Sequence, residues 1–292
     1  MTDRSLDSLP SLDDSSGANE WLRWIFGHAP TELTLAVGLR EVQAILSHDY
    51  PCAYFAGRRE RRVLVDLMQG GEPQAQFGEL TEQGFRRNGN QLYRPNCSNC
   101  QACVSVRVVA EQFRMNRTQR KIAHRNRDLG LSVEPNRASL EHFALFRRYQ
   151  AARHPDGSMS DMRWEDYQQM IETSPISTVL YELRYGSGEL AAVCIVDPLV
   201  DGLSAVYSFF DTGHPVGRNS PVVGRRSNRS LGTYMILRLI DEVQRCNRSY
   251  LYLGYWIENS AKMSYKSRFD ALESFHDGEW NRFTLATGTK IP

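Results

Sequence analysis

The sequence predicts an α+β fold, in which helices flank a mixed but mostly antiparallel sheet, preceded by a smaller cysteine-containing subdomain. Three observations indicate this. Apolar residues recur at helical spacing from about residue 139, and three extended runs joined by tight turns lie between residues 178 and 211. The segment before residue 137 is irregular and holds four of the six cysteines. The length of 292 residues allows one large or two medium domains.

Residues 1–18 are polar and acidic, and we expect them to form a disordered tail. They lack the basic start and apolar centre of a signal peptide, and the sequence contains no apolar run that would predict a transmembrane helix. We therefore expect a cytoplasmic protein that does not insert into a membrane. The net charge of +1 argues against a generic polyanion binder.

Three cysteines, Cys97, Cys100 and Cys103, stand at two successive C-x-x-C spacings. Such spacing lets a loop bring its sulfurs to one centre. In a reducing compartment, clustered cysteines more often bind metal or react than form structural disulfides. The pattern predicts a metal or cluster site, or a redox-sensitive group of thiols.

A basic segment follows the cysteines, from Phe113 to Arg127, and contains no acidic residue. Its cations are Arg114, Arg117, Arg120, Lys121, Arg125 and Arg127. A patch of this kind is typical of a surface that contacts RNA phosphates. It is equally typical of a solvated helix face, and the sequence leaves both interpretations open.

The helical pattern begins at Ser139, a candidate N-cap, and a second helix is predicted from Trp164 to Glu172. Extended runs at 178–185, 190–197 and 203–211 predict an antiparallel meander. An amphipathic helix from Ser230 to Cys246, a strand from Tyr250 to Tyr255 and a helix from Glu258 to Phe269 complete the order.

This order of elements is that of a GNAT-like acyltransferase domain, which we predict for residues 138–292. GNAT enzymes hold a pyrophosphate on a glycine-rich turn before their central helix. Here only Ser230-Leu231-Gly232 stands at that place, which argues against a CoA-dependent acetyltransferase.

Seven segments, taken together, resemble a known family. They are GFRRNG (84–89), YRPNCSNCQACVSVR (93–107), RHPDGSM (153–159), DGLSAVYSFFD (201–211), RSLGTY (229–234), YLYLGYWI (250–257) and KMSYK (262–266). They resemble the bacterial aspartate/glutamate leucyltransferases, relatives of the eukaryotic arginyl-tRNA–protein transferases, from about Cys52 to about Glu273.

The resemblance implies transfer of leucine from Leu-tRNA to the α-amine of proteins that begin with Asp or Glu, which marks them for degradation by the N-end rule pathway. It also implies that residues 19–137 form an acceptor-recognition module. Arginyl transfer to the same acceptors is one alternative. A non-catalytic tRNA-binding protein with a metal knuckle is another.

The sequence departs from the family pattern at two places. Ser105 stands where the family usually has Pro, and residues 214–228 form a basic insertion with Arg218, Arg225 and Arg226. Long surface insertions cost little free energy, so the insertion is either a tolerated decoration or an extra contact to tRNA phosphates.

The reaction is aminolysis of an activated ester, and it requires no cofactor and no covalent enzyme intermediate. Asp197 ends an apolar strand, and the resemblance implies that an acid at this place holds the acceptor amine. The alternative is an Asp that caps a turn before Pro198. Tyr207, with Ser204, is the candidate for stabilising the oxyanion; otherwise it is a half-buried sheet aromatic.

An acidic acceptor needs a cation, and the predicted acceptor-binding residues are Arg86, Arg87 and Arg94. The predicted tRNA-binding residues are Arg117, Arg120, Lys121, Arg229, Tyr252, Tyr255, Trp256, Lys262 and Lys266. Core packing is the alternative for the aromatic residues, and simple solvation for the two lysines. The resemblance also implies Cys52 as a fourth thiol beside Cys97, Cys100 and Cys103, for an iron–sulfur cluster or zinc.

Overall fold

The computed structural model describes residues 31–37, 40–69, 71–157, 159–213, 229–260 and 262–284. The predicted acidic tail, 1–18, and the basic insertion, 214–228, lie outside these residues. Within the described part the strands form two larger sheets and one short hairpin.

The larger sheet confirms the prediction of a mixed, mostly antiparallel sheet flanked by helices. Its strands are β8 (Cys103–Val109), β9 (Gly130–Pro135), β10 (Val179–Arg184), β11 (Leu190–Pro198), β12 (Gly202–Phe210), β13 (Tyr250–Ile257), β14 (Leu272–His276) and β15 (Glu279–Arg282). They lie in the order β15-β14-β8-β13-β12-β11-β10-β9. The pair β12–β13 is parallel, and the other neighbours are antiparallel.

Helices cover both faces of this sheet. They are α2 (Arg117–Arg125), α3 (Leu140–Arg153), α4 (Trp164–Glu172) and α5 (Leu231–Arg245), whereas α1 (Pro73–Glu82) packs with the smaller sheet. Side chains alternate along β11, so that Cys194 and Val196 pack with α5 and α2, whereas Val193 and Ile195 pack with α3 and α4. Ser139 caps α3 as predicted, because its hydroxyl accepts a hydrogen bond from the His142 backbone N–H at 3.1 Å.

The smaller sheet is built from N-terminal strands. They are β1 (Thr31–Val37), β2 (Arg40–Leu46), β5 (Arg62–Asp66), β6 (Arg86–Asn88) and β7 (Gln91–Pro95), in the order β1-β2-β5-β7-β6. The strands β3 (Tyr50–Pro51) and β4 (Arg59–Glu60) form the hairpin. The smaller sheet shares a core with α1 and with Ile176, Leu199 and Tyr252.

The two sheets do not divide at the predicted domain boundary between residues 137 and 138. Strands β8 and β9 precede that boundary and lie in the larger sheet, with β8 between β13 and β14. The predicted division into modules 19–137 and 138–292 therefore stays a prediction about function, whereas the sheet itself crosses it.

Strands β12 and β13 pair for only three residues each. The ladder joins Gly202–Ser204 to Tyr250–Tyr252, and both strands then continue to Phe210 and Ile257 without pairing each other. Gly202 is required at the start, because a Cβ there would lie 2.0 Å from the Tyr250 carbonyl oxygen. Both strands also shift register against their outer neighbours, and Gly254 in β13 has a φ of 76°. The two strands thus separate towards their C-terminal ends, and the gap between them is called the cleft below.

The predicted helix from Glu258 to Phe269 is wrong over most of its length. The structure has only a short 3-10 helix, Ser264–Arg268, followed by the hairpin of β14 and β15. Among the described residues, no helix is both long and apolar enough to cross a membrane.

Candidate functional site

Tyr207 lies on β12 where the cleft opens, and it faces α3. The side-chain amide of Gln150 donates a hydrogen bond of 2.7 Å to the Tyr207 hydroxyl oxygen. Burial raises the pKa of Tyr207 to about 12, so the phenol stays protonated at neutral pH. Because Gln150 occupies an acceptor position, the Tyr207 proton is left for donation to another group.

Further polar and aromatic groups surround the end of β12. The ring of Tyr149 lies 4.9 Å from that of Phe210 and 5.6 Å from that of His154. Burial lowers the pKa of His154, and the nearby charges of Lys262 and Arg153 lower it further. The lowered pKa favours the neutral form of His154, which can accept a proton; the sequence offers it as a base or as a structural residue of its loop.

Asp197 and Arg87 were predicted to bind different parts of the acceptor, but the structure pairs them with each other. The Arg87 Nε and Nη2 atoms lie 2.6 and 2.8 Å from the two carboxylate oxygens of Asp197, and the Thr178 hydroxyl donates to the same carboxylate at 2.8 Å. Asp197 is fully buried, and the Arg87 side chain is 4% exposed.

The physical reason is that opposite charges removed from water must compensate each other. Burial raises the pKa of Asp197, and the Arg87 guanidinium and Thr178 hydroxyl oppose that rise. In this arrangement the pair joins β6 of the smaller sheet to β11 of the larger sheet, with both side chains almost fully buried. Ser204 is also buried, opposite Asp197 in the β11–β12 ladder.

The other two predicted acceptor-binding arginines lie in different surroundings. Arg86 is buried, and its Nη1 donates to the Phe85 carbonyl oxygen at 2.5 Å. Arg94 donates to the Gln83 carbonyl oxygen at 2.9 Å and stacks on the ring of Phe85.

The three aromatic residues predicted to stack on tRNA bases are buried instead. The Tyr252 hydroxyl donates to Asp201 at 2.6 Å, the Tyr255 hydroxyl donates to the Tyr93 carbonyl oxygen at 2.9 Å, and Trp256 packs edge-on against Phe283. All three lie on β13, which is an inner strand of the larger sheet, so their rings fill its two faces. Their exposed fractions of 0%, 7% and 8% favour the core-packing alternative for these residues.

The predicted tRNA-binding cations separate into exposed and buried groups. Arg117, Arg120 and Lys121 are exposed on α2, and Lys262 is exposed beside the cleft. Arg229 instead forms an ion pair with Asp128 and also donates to Asn126 at 2.8 Å. Lys266 is buried, with its ammonium donating to the Tyr255 carbonyl oxygen at 2.5 Å.

The four predicted metal-binding cysteines line one cavity of about 420 Å³. They are Cys52, Cys97, Cys100 and Cys103. Burial, followed by the proximity of the other three thiols, raises the pKa of Cys103 to about 12. Four thiols suit zinc or an iron–sulfur cluster chemically, but no group of three or more such side chains among the described residues is arranged to hold a metal ion. We therefore derive no step of the chemistry through a metal.

Sequence reasoning missed Gln150. It lies four residues after Phe146 and seven after Phe143, on the stripe of α3 that packs on the sheet, and it is 2% exposed. A polar residue on an otherwise apolar helical stripe is the signal that identifies it, because a buried amide needs partners.

Comparisons with known proteins agree over most of the chain. Residues 50–121 match the family model described as Arginine-tRNA-protein transferase, N terminus, and residues 141–276 match the corresponding C terminus. The aspartate/glutamate leucyltransferase of Paramagnetospirillum magneticum is 44% identical over 82% of this chain and 92% of its own. The protein of the same name from Nitrosococcus oceani is 44% identical over 81% of this chain and 94% of its own.

Solved structures are more distant. The structure of L-PGS from Bacillus licheniformis matches with a TM-score of 0.39 and 16% identity, over 54% of this chain and 48% of that one. That score lies below the similarity that indicates a shared fold.

Proposed function

Because this chain belongs to the arginine-tRNA–protein transferase family and is an aminoacyltransferase, we propose that it transfers leucine from Leu-tRNA to the N-terminal Asp or Glu of acceptor proteins. The main support for this proposal is the 44% identity to named aspartate/glutamate leucyltransferases over 82% of the chain. The leucylated proteins would then enter N-end rule degradation. Aminoacyl-tRNA is made in the cytoplasm, so the reaction would take place there.

The aminoacyl ester lies in the cleft between β12 and β13, in a GNAT-like arrangement of the larger sheet. Two features support this placement. The parallel pairing ends after three residues, and just beyond this point both strands shift register against their outer neighbours. The cleft also collects Tyr207, Gln150 and His154, which are neutral groups able to donate or accept hydrogen bonds.

The reaction proceeds by attack of the acceptor's neutral α-amine on the ester carbonyl. A C–N bond forms, the C–O bond to the terminal ribose breaks, and the amine proton passes to the released ribose hydroxyl. The Tyr207 hydroxyl donates to the developing oxyanion, which is supported by its raised pKa and by its hydrogen bond from Gln150. His154, held neutral, is a relay for the amine proton.

The exposed cations of α2 bind phosphates of the tRNA body. Arg117, Arg120 and Lys121 share an exposed face, while Ile122 and Gln119 anchor the helix to the core. Lys262 would meet phosphates near the acceptor end, since it lies beside His154 at the cleft. Residues 19–137 act as the acceptor-recognition module, with β8 linking that module to the catalytic sheet.

Arginyl transfer is the second candidate, because the matching family model is described by arginine-tRNA. The test mixes the purified protein with Leu-tRNA or Arg-tRNA and with peptides that begin with Asp, Glu or Ala. We expect leucine on the Asp and Glu peptides alone. Transfer of arginine alone would show that the donor is Arg-tRNA rather than Leu-tRNA. Binding of uncharged and charged tRNA without any transfer would instead support a non-catalytic RNA-binding protein.

A further inference from the structure

Two buried cations, Arg86 and Lys266, lie against the same residue, Tyr255. Arg86 is 6% exposed and Lys266 is 5% exposed. The Arg86 guanidinium lies 6.0 Å from the centre of the Tyr255 ring, and the Lys266 ammonium donates to the Tyr255 carbonyl oxygen. The two positive charges are close enough for Arg86 to lower the pKa of Lys266.

Neither cation has a carboxylate partner in the part of the chain that the structure describes. Other buried or half-buried cations do have one: Arg87 pairs with Asp197, Arg107 with Glu273 and Arg229 with Asp128. Within the described residues, burial is the largest influence on the pKa of Arg86 and lowers it, and the neighbouring groups that act on it most are three tyrosines and Arg107. Burying a cation without a counter-ion is costly, so this pair stands apart from the others.

Two hydrogen-bond donor atoms of Arg86 are also unused among the described residues. Its Nε and Nη2 atoms are buried and have no hydrogen-bond partner among the described residues. An arginine stays protonated in proteins, so Arg86 cannot escape the cost of its buried charge by losing a proton. Lys266 can lose its proton more easily, because burial lowers its pKa to about 7. The free donors of Arg86 and the Lys266 ammonium can therefore bind an added acceptor group.

Space for such a group lies beside the ammonium. Among the described residues, a Cβ built on Gly254 would have only the Lys266 Nζ atom within 4 Å, at 3.8 Å. Gly254 is in β13 just after its ladder with β12 has ended. Among the described residues, no other atom fills the space between Gly254 and the Lys266 ammonium.

We propose that Arg86 and Lys266 together bind the side-chain carboxylate of the acceptor's N-terminal Asp or Glu. This rests on the proposed function and assigns Lys266 to the acceptor rather than to tRNA. A carboxylate offers acceptor positions for both free guanidinium donors and for the ammonium. A tRNA phosphate fits less well, because each phosphodiester carries a ribose on both sides and cannot enter a site this enclosed.

The surroundings strengthen the preference for a charged ligand. Tyr252 and Tyr255 lie along the guanidinium, at 5.4 and 6.0 Å from ring centre to Arg86 Cζ. Aromatic walls exclude water, and a charge-assisted hydrogen bond is stronger where the effective dielectric constant is low. An Asn or Gln side chain has the same shape as Asp or Glu but leaves both cations uncompensated.

The test measures peptide binding without tRNA, so that it does not depend on transfer. Fluorescently labelled peptides beginning with Asp and with Asn are titrated with the full-length protein and with K266M. We expect the unsubstituted protein to prefer the Asp peptide, and K266M to bind that peptide at least tenfold more weakly while its weak affinity for the Asn peptide is unchanged. R268M is the matched control, since Arg268 is exposed on the same 3-10 helix.

A second variant, R86K, keeps the charge but removes the fork of donors, and we expect it to lose part of the preference for Asp over Asn. Equal weakening for both peptides, or an unchanged preference in K266M, would overturn the inference. If the unsubstituted protein binds the Asp peptide but transfers no amino acid to it, the proposed function fails and the carboxylate site stands. If it transfers leucine and K266M keeps full discrimination in transfer, only the carboxylate site fails.

Discussion

At the scale of single residues, Arg87 and Asp197 form the most completely buried ion pair described above, although they are 110 residues apart in the chain. Two parallel hydrogen bonds from the guanidinium and a third from Thr178 leave the carboxylate well satisfied. The arginine in the GFRRNG motif that best fits a carboxylate therefore already has one inside the protein. We therefore expect Arg87 to contribute to stability and to the relative position of the two sheets.

We expect Arg87→Met to destabilise the protein by about 3–5 kcal/mol, because it leaves the Asp197 carboxylate buried without a counter-charge. Urea unfolding measures the effect. The double variant R87M/D197L should recover most of the loss, since it removes both charges. Arg282→Met is the control, because its partner Asp270 is exposed and such pairs contribute roughly 0–1 kcal/mol. If R87M is fully stable but no longer transfers leucine to acidic peptides, Arg87 binds the acceptor instead.

We expect Tyr207→Phe to lower kcat for leucyl transfer by roughly 10²–10³ if its hydroxyl stabilises the oxyanion, with KM for Leu-tRNA nearly unchanged. The ring remains, so the packing against Phe146 and Phe209 is kept. Steady-state kinetics with an Asp peptide makes the measurement. Tyr181→Phe, another tyrosine of the same sheet but packed on the α5 face, serves as control. A loss confined to KM would show that Tyr207 only helps to bind the substrate.

The lowered pKa of Lys266 should make the stability of the protein depend on pH. Its pKa is about 7 in the folded chain and about 10.5 when unfolded, so between these values the unfolded state binds more protons. The free energy of unfolding should therefore rise with pH from about 7 towards 10, as the folded state loses its penalty for a buried ammonium. The facing groups are Arg86, Tyr255 and Tyr265; burial raises the pKa of both tyrosines, Tyr265 to about 12, so none titrates in this range.

Unfolding in urea at pH 7, 8 and 9 checks this dependence. The difference in unfolding free energy between the unsubstituted protein and K266M should shift steadily in favour of the unsubstituted protein as pH rises. A constant difference would mean that Lys266 titrates normally in the folded chain.

At the scale of elements, α2 shows how one short helix serves two purposes. Asn116 and Gln119 form reciprocal hydrogen bonds of 2.9 Å at its N-terminus, and Gln119 also donates to the Arg268 carbonyl oxygen. The cap and Ile122 hold the helix on the core, which leaves Arg117, Arg120 and Lys121 exposed.

We expect the triple variant R117Q/R120Q/K121Q to weaken tRNA binding and to reduce the slope of log K against log salt concentration by roughly two to three. Titrations at several salt concentrations measure both quantities. A control with the same change in charge replaces Arg137, Arg147 and Arg163, which are exposed outside α2. If both triple variants lose affinity equally, α2 acts only through net charge.

The elements that sequence reasoning located well are those whose pattern is local. The stripe on α5 and the turns of the meander predicted Leu231–Arg245, β10, β11 and β12 to within a few residues. The segment after β13 was mispredicted because KMSYK has helical spacing, whereas the structure uses its second lysine as a buried group. Tertiary burial overrides local propensity there.

At the scale of the whole molecule, one strand joins the two halves of the sequence. β8 pairs with β13 on one side and with β14 on the other. Arg107 of β8 extends this joint, because it pairs with Glu273 and lies 3.5 Å from the centre of the Tyr250 ring. Sequence reasoning could identify β8 only as part of the cysteine segment, since pairing over such a distance leaves no local pattern.

We expect a fragment of residues 138–292 not to fold cooperatively, because β13 and β14 would lose the strand between them and expose apolar edges. Circular dichroism during urea unfolding tests this. A chain that begins at residue 31 keeps both sheets and should unfold in a single transition. Cooperative unfolding of the short fragment would mean that the predicted boundary at 137/138 is also a folding boundary.

The position of β8 also has a consequence for synthesis on the ribosome. β8 ends at Val109, and its first partner in the larger sheet begins at Tyr250, so the intervening chain must be translated before the strand can pair. At roughly 5–20 residues per second, this takes on the order of ten seconds. During that interval the apolar strand CVSVRVV has neither neighbour, which makes the nascent chain a client for chaperones until its last third has emerged.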